Sequence, residues 1–492
     1  MFEQQEATPW YRSPVVIIGA VVVIVGLAGG LIGYQLWRRS GPEAVYDAVE
    51  KDRARQRAEA EKAGQQPTAP AANASNPSGS PAAGQTAAGQ PGTPATGATT
   101  AAAHAGRNYW TNFRGPNRDG RYDEMSVLTS WPAQGPPLLW KQPVGVGYAS
   151  FTIADGRAYT IEQRRRQELV AAYDVGTGRE LWTQSWNAEF VGDDTGGGPR
   201  STPTWDDGRV YALGATGELR CLDAKSGAVI WGKNILAENG AQNLQWAMSA
   251  SPLIVDDKVV VLPGGAGGKA VVAYNKLTGA PVWRSQGDQA AYVSPMLVTL
   301  AGRRQILVEM ASRVFGLAPE DGSLLWSQSW NTDMGINVSQ PIIVDKNRFF
   351  LSSGYGKGAA LIEITPNGKG FEAKSIWENI NMKNKFNSSV LHDGFVYGLD
   401  EGILTCVDVN TGVKKWKGGR YGYGQVLLAG NNLIVMSAEG ELALVKASPD
   451  AYSETARFAA LDGKTWNYPA IAGGRLFVRN AKEMAAYNIA AQ

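Results

Sequence analysis

One phrase recurs along this sequence at a nearly fixed interval, and it constrains the fold more than any other feature. It has the form Asp/Asn-x-x-Thr/Ser-Gly-x-x-x-Trp, and its copies are AYDVGTGRELW, CLDAKSGAVIW, AYNKLTGAPVW and CVDVNTGVKKW, with a looser copy in GLAPEDGSLLW. A phrase repeated at a fixed interval is typical of architectures in which each unit is one supersecondary element packed on its neighbours. The chain from about residue 107 onward is therefore predicted to be a repeat array.

Each repeat reads as four short strands. The first is introduced by Ser and often Pro, as in STPTW and VSPMLV, and a Gly or Asp turn leads to a second, apolar strand such as DGRVYAL. A third strand precedes the repeated phrase, whose Asx and Gly residues suit a hairpin turn, and the fourth strand ends at the Trp. Four strands in a unit of about 45 residues predict one blade of a β-propeller.

The fourth-strand positions count the blades. A degenerate copy at Phe458 follows seven Trp positions, which are Trp140, Trp182, Trp231, Trp283, Trp326, Trp377 and Trp416. The first copy lacks strands before it, whereas the C-terminal segment supplies three strands and no fourth, so a strand near Leu138 to Val144 is predicted to complete the last blade. We predict an all-β, eight-bladed propeller of four-stranded antiparallel blades over residues 107–492, with the seven Trp rings filling space between blades.

The first 106 residues differ in composition from the repeats. Residues 1–14 form a short tail, and residues 15–37 are an uncharged apolar run long enough to cross roughly 30 Å of hydrocarbon as a helix. We interpret this run as a retained signal anchor in the lipid bilayer, because it is too long for a signal peptide and no small-residue cleavage site follows it. Residues 38–63 predict a charged juxtamembrane helix, with a disordered stalk as the alternative. Residues 64–106, rich in Ala, Pro and Gly and without Asp, Glu, Lys or Arg, predict a disordered linker.

The repeated phrase resembles the PQQ-like repeat, which is shared by quinoprotein dehydrogenases and by the non-enzymatic BamB-type propellers of the bacterial envelope. The segment YWTNFRGPNRDGRYDE, residues 109–124, is similar to the opening of PQQ-like envelope propellers. The BamB-type resemblance implies a non-catalytic scaffold that binds envelope proteins, with the propeller in the periplasm and the anchor in the inner membrane. More cations follow the anchor than precede it, which by the positive-inside tendency favours a cytoplasmic propeller; large domains can translocate against that bias, so export is our interpretation.

The quinoprotein branch of the resemblance implies an alternative, a PQQ- and calcium-dependent oxidoreductase acting on an alcohol or sugar. Those enzymes hold PQQ against calcium with a Glu, an Asn and a catalytic Asp, and commonly cap it with a disulfide between adjacent cysteines. Here Cys221 and Cys406 fall in matching strands about four blades apart, which predicts two separate core residues. With only His104 and His392 in the chain, no catalytic or metal-binding set is predicted. A small-ligand sensor that signals through the anchor is a third possibility.

One candidate binding site follows from the propeller architecture itself. The residues that enter each innermost strand line one mouth of the central channel, and aromatic, Arg and Asn side chains at such places anchor interfaces and small ligands. Packing that plugs the channel is the alternative interpretation. The net charge of +2, without a basic run in the propeller, predicts no nucleic-acid partner. The candidate residues at this mouth are Tyr148, Arg200, Trp246, Tyr292, Asn337, Phe386, Tyr423 and Trp466.

Overall fold

The computed structural model describes residues 49–55, 110–193, 196–368 and 370–491. Residues 49–55 are helical (α1) and carry two ion pairs at i,i+3 spacing, Arg53 with Glu50 and Arg55 with Asp52, so they match part of the helix predicted over 38–63. The anchor predicted at 15–37 and the linker predicted at 64–106 lie outside the described residues. Within the described ranges, no helix has the length and apolar character needed to span a bilayer.

Eight β-sheets follow one another along the chain from residue 121 to residue 488, and each is a blade of antiparallel strands. Blade 1 consists of β3 Thr152–Ala154, β4 Arg157–Arg164, β5 Gln167–Asp174 and β6 Glu180–Asn187, and blade 2 of β7 Thr204–Asp206, β8 Arg209–Leu213, β9 Glu218–Asp223 and β10 Val229–Asn234. Blade 3 consists of β11 Leu253–Val255, β12 Lys258–Val261, β13 Val271–Asn275 and β14 Pro281–Ser285, and blade 4 of β15 Met296–Leu300, β16 Arg303–Glu309, β17 Arg313–Leu317 and β18 Leu324–Ser329. A five-residue helix, α2 Ile235–Asn239, follows blade 2.

The second half of the ring repeats this arrangement and closes on the first. Blade 5 consists of β19 Ile342–Ile343, β20 Arg348–Ser353, β21 Gly358–Asn367 and β22 Gly370–Asn379, and blade 6 of β23 Val390–His392, β24 Phe395–Asp400, β25 Ile403–Asp408 and β26 Lys414–Arg420. Blade 7 contains β27 Gln425–Ala429, β28 Asn432–Met436, β29 Glu441–Lys446 and β30 Glu454–Ala459, and blade 8 contains β31 Ala470–Ala472, β32 Arg475–Arg479, β33 Glu483–Asn488 and β2 Leu138–Pro143.

Blade 8 is assembled from both ends of the repeat region. Strand β2 pairs antiparallel with β33, so the strand predicted near Leu138 to Val144 does supply the missing fourth strand. The prediction of eight blades is therefore confirmed. One sheet departs from the four-stranded plan, because β1 Arg121–Tyr122 pairs parallel with β27 and gives blade 7 a fifth strand. The sequence analysis did not predict this added strand.

The repeated phrase forms a joint between neighbouring blades. In blade 3, the Asn275 side chain accepts hydrogen bonds from the backbone of Leu277 and Thr278, which closes the turn. Gly279 has a positive φ, and a Cβ atom there would lie 2.8 Å from the Trp231 ring of blade 2. The Trp231 indole N–H donates to Lys276 O in the same turn. Trp140, Trp182, Trp283, Trp377 and Trp416 likewise donate to the next blade, whereas Trp326 donates to Gln305 of its own blade.

Polar side chains also link the innermost strands around the channel. In each step, the backbone N–H of one blade donates to the side-chain oxygen at the matching position of the next blade. This explains why Ser or Thr introduces so many first strands, since its short side chain satisfies a buried backbone donor. The chain of hydrogen bonds runs from Ser150 to Thr202 (2.9 Å), Ser251 (3.0 Å), Ser294 (2.9 Å), Gln340 (2.7 Å) and Ser388 (2.9 Å).

The lead-in segment 110–120 enters the channel and occupies its axis. Arg118 donates to Ser251 O and Pro295 O, in blades 3 and 4, and Arg114 donates to Ser389 O in blade 6 on the other side of the ring. Both side chains are at most 2 % exposed. A segment that contacts first strands on opposite sides must lie between them. We call residues 110–120 the plug.

Glycine explains part of the plug motif FRGPNRDG. Gly120 has a positive φ, and a Cβ atom there would lie 2.4 Å from the Arg114 guanidinium. The Gly120 N–H also donates to Arg114 O, which folds the segment back on itself. Any larger residue at this position would displace the arginine that reaches blade 6.

Candidate functional site at the channel mouth

Four of the eight candidate residues form one aromatic cluster at the mouth. Phe386 and Trp466, from blades 6 and 8, stack with ring centroids 5.3 Å apart and an interplanar angle of 16°. Tyr423 meets both rings edge-on, at 4.7 Å from Phe386 and 5.5 Å from Trp466. Tyr148 lies 5.9 Å from Trp466. The four side chains are partly exposed, so they present aromatic surface to solvent at the end of the channel.

Three further candidates lie along the rest of the mouth. Trp246 and Tyr292 are in ring contact at 5.8 Å, and the Trp246 indole donates to the carboxylate of Asp193 at 2.9 Å. The Arg200 guanidinium lies 5.2 Å from the Tyr148 ring and donates to two carbonyls of its own loop, Gly196 O and Gly198 O. Arg200 therefore joins the aromatic cluster through Tyr148.

Asn337 does not take part in this surface. Its side chain is completely buried, its amide donates to Met310 O at 2.8 Å, and its oxygen accepts from Ser353 at 2.8 Å. A side chain with these contacts holds the connection between blades 4 and 5. The expectation that it lines the mouth therefore does not describe its position.

Two lysines and a tyrosine at the mouth were missed by the sequence analysis. The Lys464 ammonium lies 3.8 Å from the Trp466 ring centroid, and the Lys385 ammonium lies 5.9 Å from that of Phe386. Tyr355, at the hairpin of blade 5, lies 5.1 Å from Lys385. A sequence signal for the lysines does exist, because NKFN in blade 6 and KTWN in blade 8 each place a Lys one or two residues before the aromatic residue.

Gln425 positions the stacked pair from below. It stands where several other blades have Ser or Thr, and its longer amide donates to Phe386 O at 3.0 Å and to Trp466 O at 2.8 Å. One side chain of blade 7 thus fixes the backbone of both neighbours. Tyr423, in the short connection Tyr421–Gly424 that enters blade 7, contacts both rings.

Burial sets the charge states around the mouth. It raises the pKa of Tyr355 to about 12, with Tyr292 and Tyr423 adding to the effect, and it raises the pKa of Tyr148 and Tyr292 against the opposing effect of Arg200. These phenols therefore keep their protons and can donate hydrogen bonds at neutral pH. Burial also lowers the pKa of Arg200 from its usual very high value. Protonated phenols beside lysine and arginine suit a ligand group that is anionic and accepts hydrogen bonds.

The alternative function requires side chains that could bind PQQ and calcium. No group of three or more His, Cys, Asp or Glu side chains suited to a metal ion occurs in the part of the chain that the structure describes. Cys221 and Cys406 are unpaired and fully buried in blades 2 and 6, and burial raises the pKa of their thiols to about 11 and about 12. The plug already fills the channel below the mouth. The described residues thus show neither such a cluster nor a pair of adjacent cysteines.

Comparison with known proteins identifies the family. The family model for PQQ-type repeats described as outer membrane protein assembly factor BamB matches residues 166–418, just over half of the chain. The chain belongs to this family. Its repeated phrase and eight blades are thus the family's repeat and propeller, as the resemblance implied.

Individual relatives in this family are distant. The outer membrane protein assembly factor BamB of Moranella endobia is 21% identical over 302 residues, covering 57% of this chain and 71% of that protein. The BamB of Burkholderia pseudomallei is 25% identical, over 38% of this chain and 45% of its own length. A quinoprotein ethanol dehydrogenase of Pseudomonas putida is 28% identical over 25% of this chain and 21% of its own length.

Solved structures agree on the fold. The crystal structure of BamB from Moraxella catarrhalis covers 71% of this chain and 98% of its own, with a TM-score of 0.50 and 18% identity. The quinohemoprotein alcohol dehydrogenase ADHIIG from Pseudomonas putida HK5 covers 79% of this chain and 81% of its own, with a TM-score of 0.54 and 14% identity. At these identities, both likenesses show the propeller fold alone.

Proposed function

We propose that this chain is a non-catalytic scaffold of the bacterial cell envelope, which binds other envelope proteins at the channel mouth. The propeller would lie in the periplasm, held to the inner membrane by residues 15–37. The observation that carries the proposal is the stacked pair Phe386 and Trp466, partly exposed and bordered by lysines at one end of a plugged channel. Aromatic anchors of this kind dominate the energetics of protein interfaces.

Exposed apolar side chains favour the same face of the propeller. Among the described residues, three large hydrophobic side chains are more than 60% exposed: Val191 at 73%, Ile380 at 66% and Met334 at 64%. All three lie in loops that lead from the fourth strand of one blade to the first strand of the next, and these loops form the mouth face. Apolar side chains exposed around an aromatic centre are typical of interaction surfaces.

A rigid foundation supports a binding role for the mouth. Gln425 ties the two stacked residues together, and Asn467 donates to Gly147 O and Ala149 O, which fixes Trp466 beside the entry to blade 1. The plug blocks the channel beneath. A surface already held in one conformation loses little entropy when a partner binds.

Site-specific photo-crosslinking in cells of the native host tests the proposal. A photoreactive residue at Glu439, exposed on the blade 7 hairpin whose Ala438 packs beside the mouth at Gly422, is expected to capture an envelope protein. The matched control is Lys346, exposed in a turn at the opposite end of blade 5. Capture at Lys346 equal to or above that at Glu439, or no capture at either position, would overturn the proposal.

A second experiment tests the alternative function suggested by the quinoprotein relative, a PQQ-dependent oxidoreductase. The full chain is titrated calorimetrically with PQQ in the presence of calcium, and a dye-linked dehydrogenase assay follows. Because the described residues show no cluster of three or more His, Cys, Asp or Glu and no adjacent cysteine pair, no heat of binding and no turnover are expected. Micromolar binding with turnover of an alcohol or sugar would replace the scaffold proposal with an oxidoreductase.

A further inference from the structure

We propose that the envelope protein bound at the mouth presents an acidic segment, and that a side-chain carboxylate of this segment pairs with Lys385. This inference rests on the proposed function, since it names the chemistry of the partner at the same site. Three observations carry it: the position of Lys385 among aromatic rings, the pairing of the neighbouring lysines, and the apolar loops around the mouth.

Aromatic rings hold the Lys385 ammonium at the edge of the stack. Its Nζ atom lies 5.1 Å from the ring centroid of Tyr355, 5.5 Å from that of Tyr423 and 5.9 Å from that of Phe386. Gly354 allows this approach, because a Cβ atom there would lie 3.0 Å from Cα, Cβ and Cγ of Lys385. The ammonium is therefore partly desolvated by rings that offer no formal negative charge.

Three other lysines on this face have a carboxylate partner. Lys357 pairs with Glu378 at 2.6 Å, Lys383 pairs with Glu401 at 2.7 Å, and Lys417 pairs with Asp400. For Lys385, the described residues place no carboxylate oxygen within 4.0 Å of Nζ. The pKa of Glu401 is lowered chiefly by its hydrogen bond with Lys383. Lys385 makes only a smaller contribution to this lowering, from farther away. Lys385 is thus left available for a carboxylate from another molecule.

The surroundings favour a protein carboxylate over a phosphate or a lipid headgroup. A lysine is a compact point charge, and a phosphate site ordinarily adds arginine forks or several converging backbone donors. Arg200 directs its donors to Gly196 O and Gly198 O in its own loop rather than toward Lys385. The exposed apolar residues Val191, Ile380 and Met334 offer contacts for the flanking residues of a polypeptide.

Substitution of Lys385→Gln tests the inference, with Lys383→Gln as the matched control. Both changes remove one positive charge from the same loop, but Lys383 already has Glu401 as a partner. Capture from the photoreactive residue at position 439 is expected to fall roughly tenfold in the Lys385→Gln chain, the loss typical of one charge-assisted contact. It should stay within about twofold in Lys383→Gln, and Lys385→Arg should restore most of it. Circular dichroism of each variant shows that the propeller is folded.

Sequencing the crosslinked partner peptide gives the second measurement. The expected result is an Asp or Glu within a few residues of the crosslink. Capture that is unaffected by Lys385→Gln, or a crosslinked segment without any acidic residue, would overturn the acidic-segment inference while leaving the scaffold proposal standing. No capture by the unsubstituted chain at position 439 would overturn both.

Discussion

The two ends of the central channel use the same kinds of side chain in opposite ways. At the plugged end, Arg114 and Arg118 are buried and donate to carbonyl oxygens of the first strands. At the mouth, Lys385 and Lys464 lie over the stacked rings of Phe386 and Trp466, partly in contact with solvent. The plug cations hold blades together, whereas Lys385 at the mouth remains in reach of another molecule.

The number of hydrogen-bond acceptors separates the two ends. Arg118 has five acceptors, in the plug itself and in blades 2, 3 and 4, even though burial lowers its pKa to about 9. Lys385 has aromatic faces and no carboxylate within ion-pair distance among the described residues. A buried cation with several acceptors is structural, and a half-buried cation without a carboxylate partner is a candidate for binding. Four predictions test this comparison.

Arg118→Met should have the largest effect. The substitution removes the charge-assisted hydrogen bonds to Ser251 O, Pro252 O and Pro295 O. Pro252 O keeps the Thr204 hydroxyl as a donor, whereas Ser251 O and Pro295 O lose theirs from Arg118. We expect the free energy of unfolding to fall by about 3 kcal/mol, measured by urea denaturation of the full chain. Arg303→Met, at an exposed pair with Glu320, should change it by less than about 0.5 kcal/mol. A small effect at Arg118 would mean that the plug does not hold the ring together.

Glu309→Leu should stabilise the protein, because this buried carboxyl has no partner. Neither oxygen of Glu309 has a hydrogen bond, and burial raises its pKa well above 4.5. The group therefore destabilises the fold increasingly as the pH rises from about 4.5 toward its folded-state pKa, since ionisation favours the unfolded chain. The variant should gain about 1–3 kcal/mol at neutral pH, and less below pH 4.5, where the carboxyl is protonated in both the folded and the unfolded chain. Urea denaturation at several pH values measures the gain, and the substitution Glu372→Leu at an exposed position is a control expected to show no such pH dependence. A gain at Glu309→Leu that is independent of pH would contradict the prediction.

Gln425→Ala should loosen the mouth more than the fold. The change removes the two hydrogen bonds that join Phe386 O to Trp466 O through one amide. We expect a loss of about 1–2 kcal/mol in the free energy of unfolding, together with a weaker near-ultraviolet circular dichroism signal from the stacked rings. An unchanged aromatic signal would show that the stack forms without Gln425.

Lys385→Gln should have the smallest effect on stability. A half-exposed ammonium over aromatic rings contributes about 0.5–1 kcal/mol, and the amide keeps most of the packing. The midpoint of urea denaturation should therefore shift by no more than a few tenths of a molar unit. A large loss of stability would place Lys385 with the structural cations of the plug and contradict the comparison.

The sequence predicted the fold better than the site, for physical reasons. The repeated turn and its Trp are local signals, so blade number and the closing strand β2 could be read directly. The plug could not be predicted, because Arg118 forms hydrogen bonds with Ser251 and Pro295, which lie 133 and 177 positions farther along the chain. At the mouth, blade position alone grouped Phe386 with Asn337, although one is partly exposed and the other is completely buried. Which side chains turn outward depends on contacts between blades that one sequence does not reveal.

Lysine footprinting tests the central claim most directly. The full-length protein is labelled with an amine-reactive reagent once after purification and once in intact envelopes of the native host, and modification is measured at Lys385 and Lys346 by mass spectrometry. If the mouth is the binding surface, Lys385 is labelled in the purified protein and protected in the envelope, while Lys346 is labelled equally in both. Equal labelling of Lys385 in both samples, or protection confined to Lys346, would contradict the account.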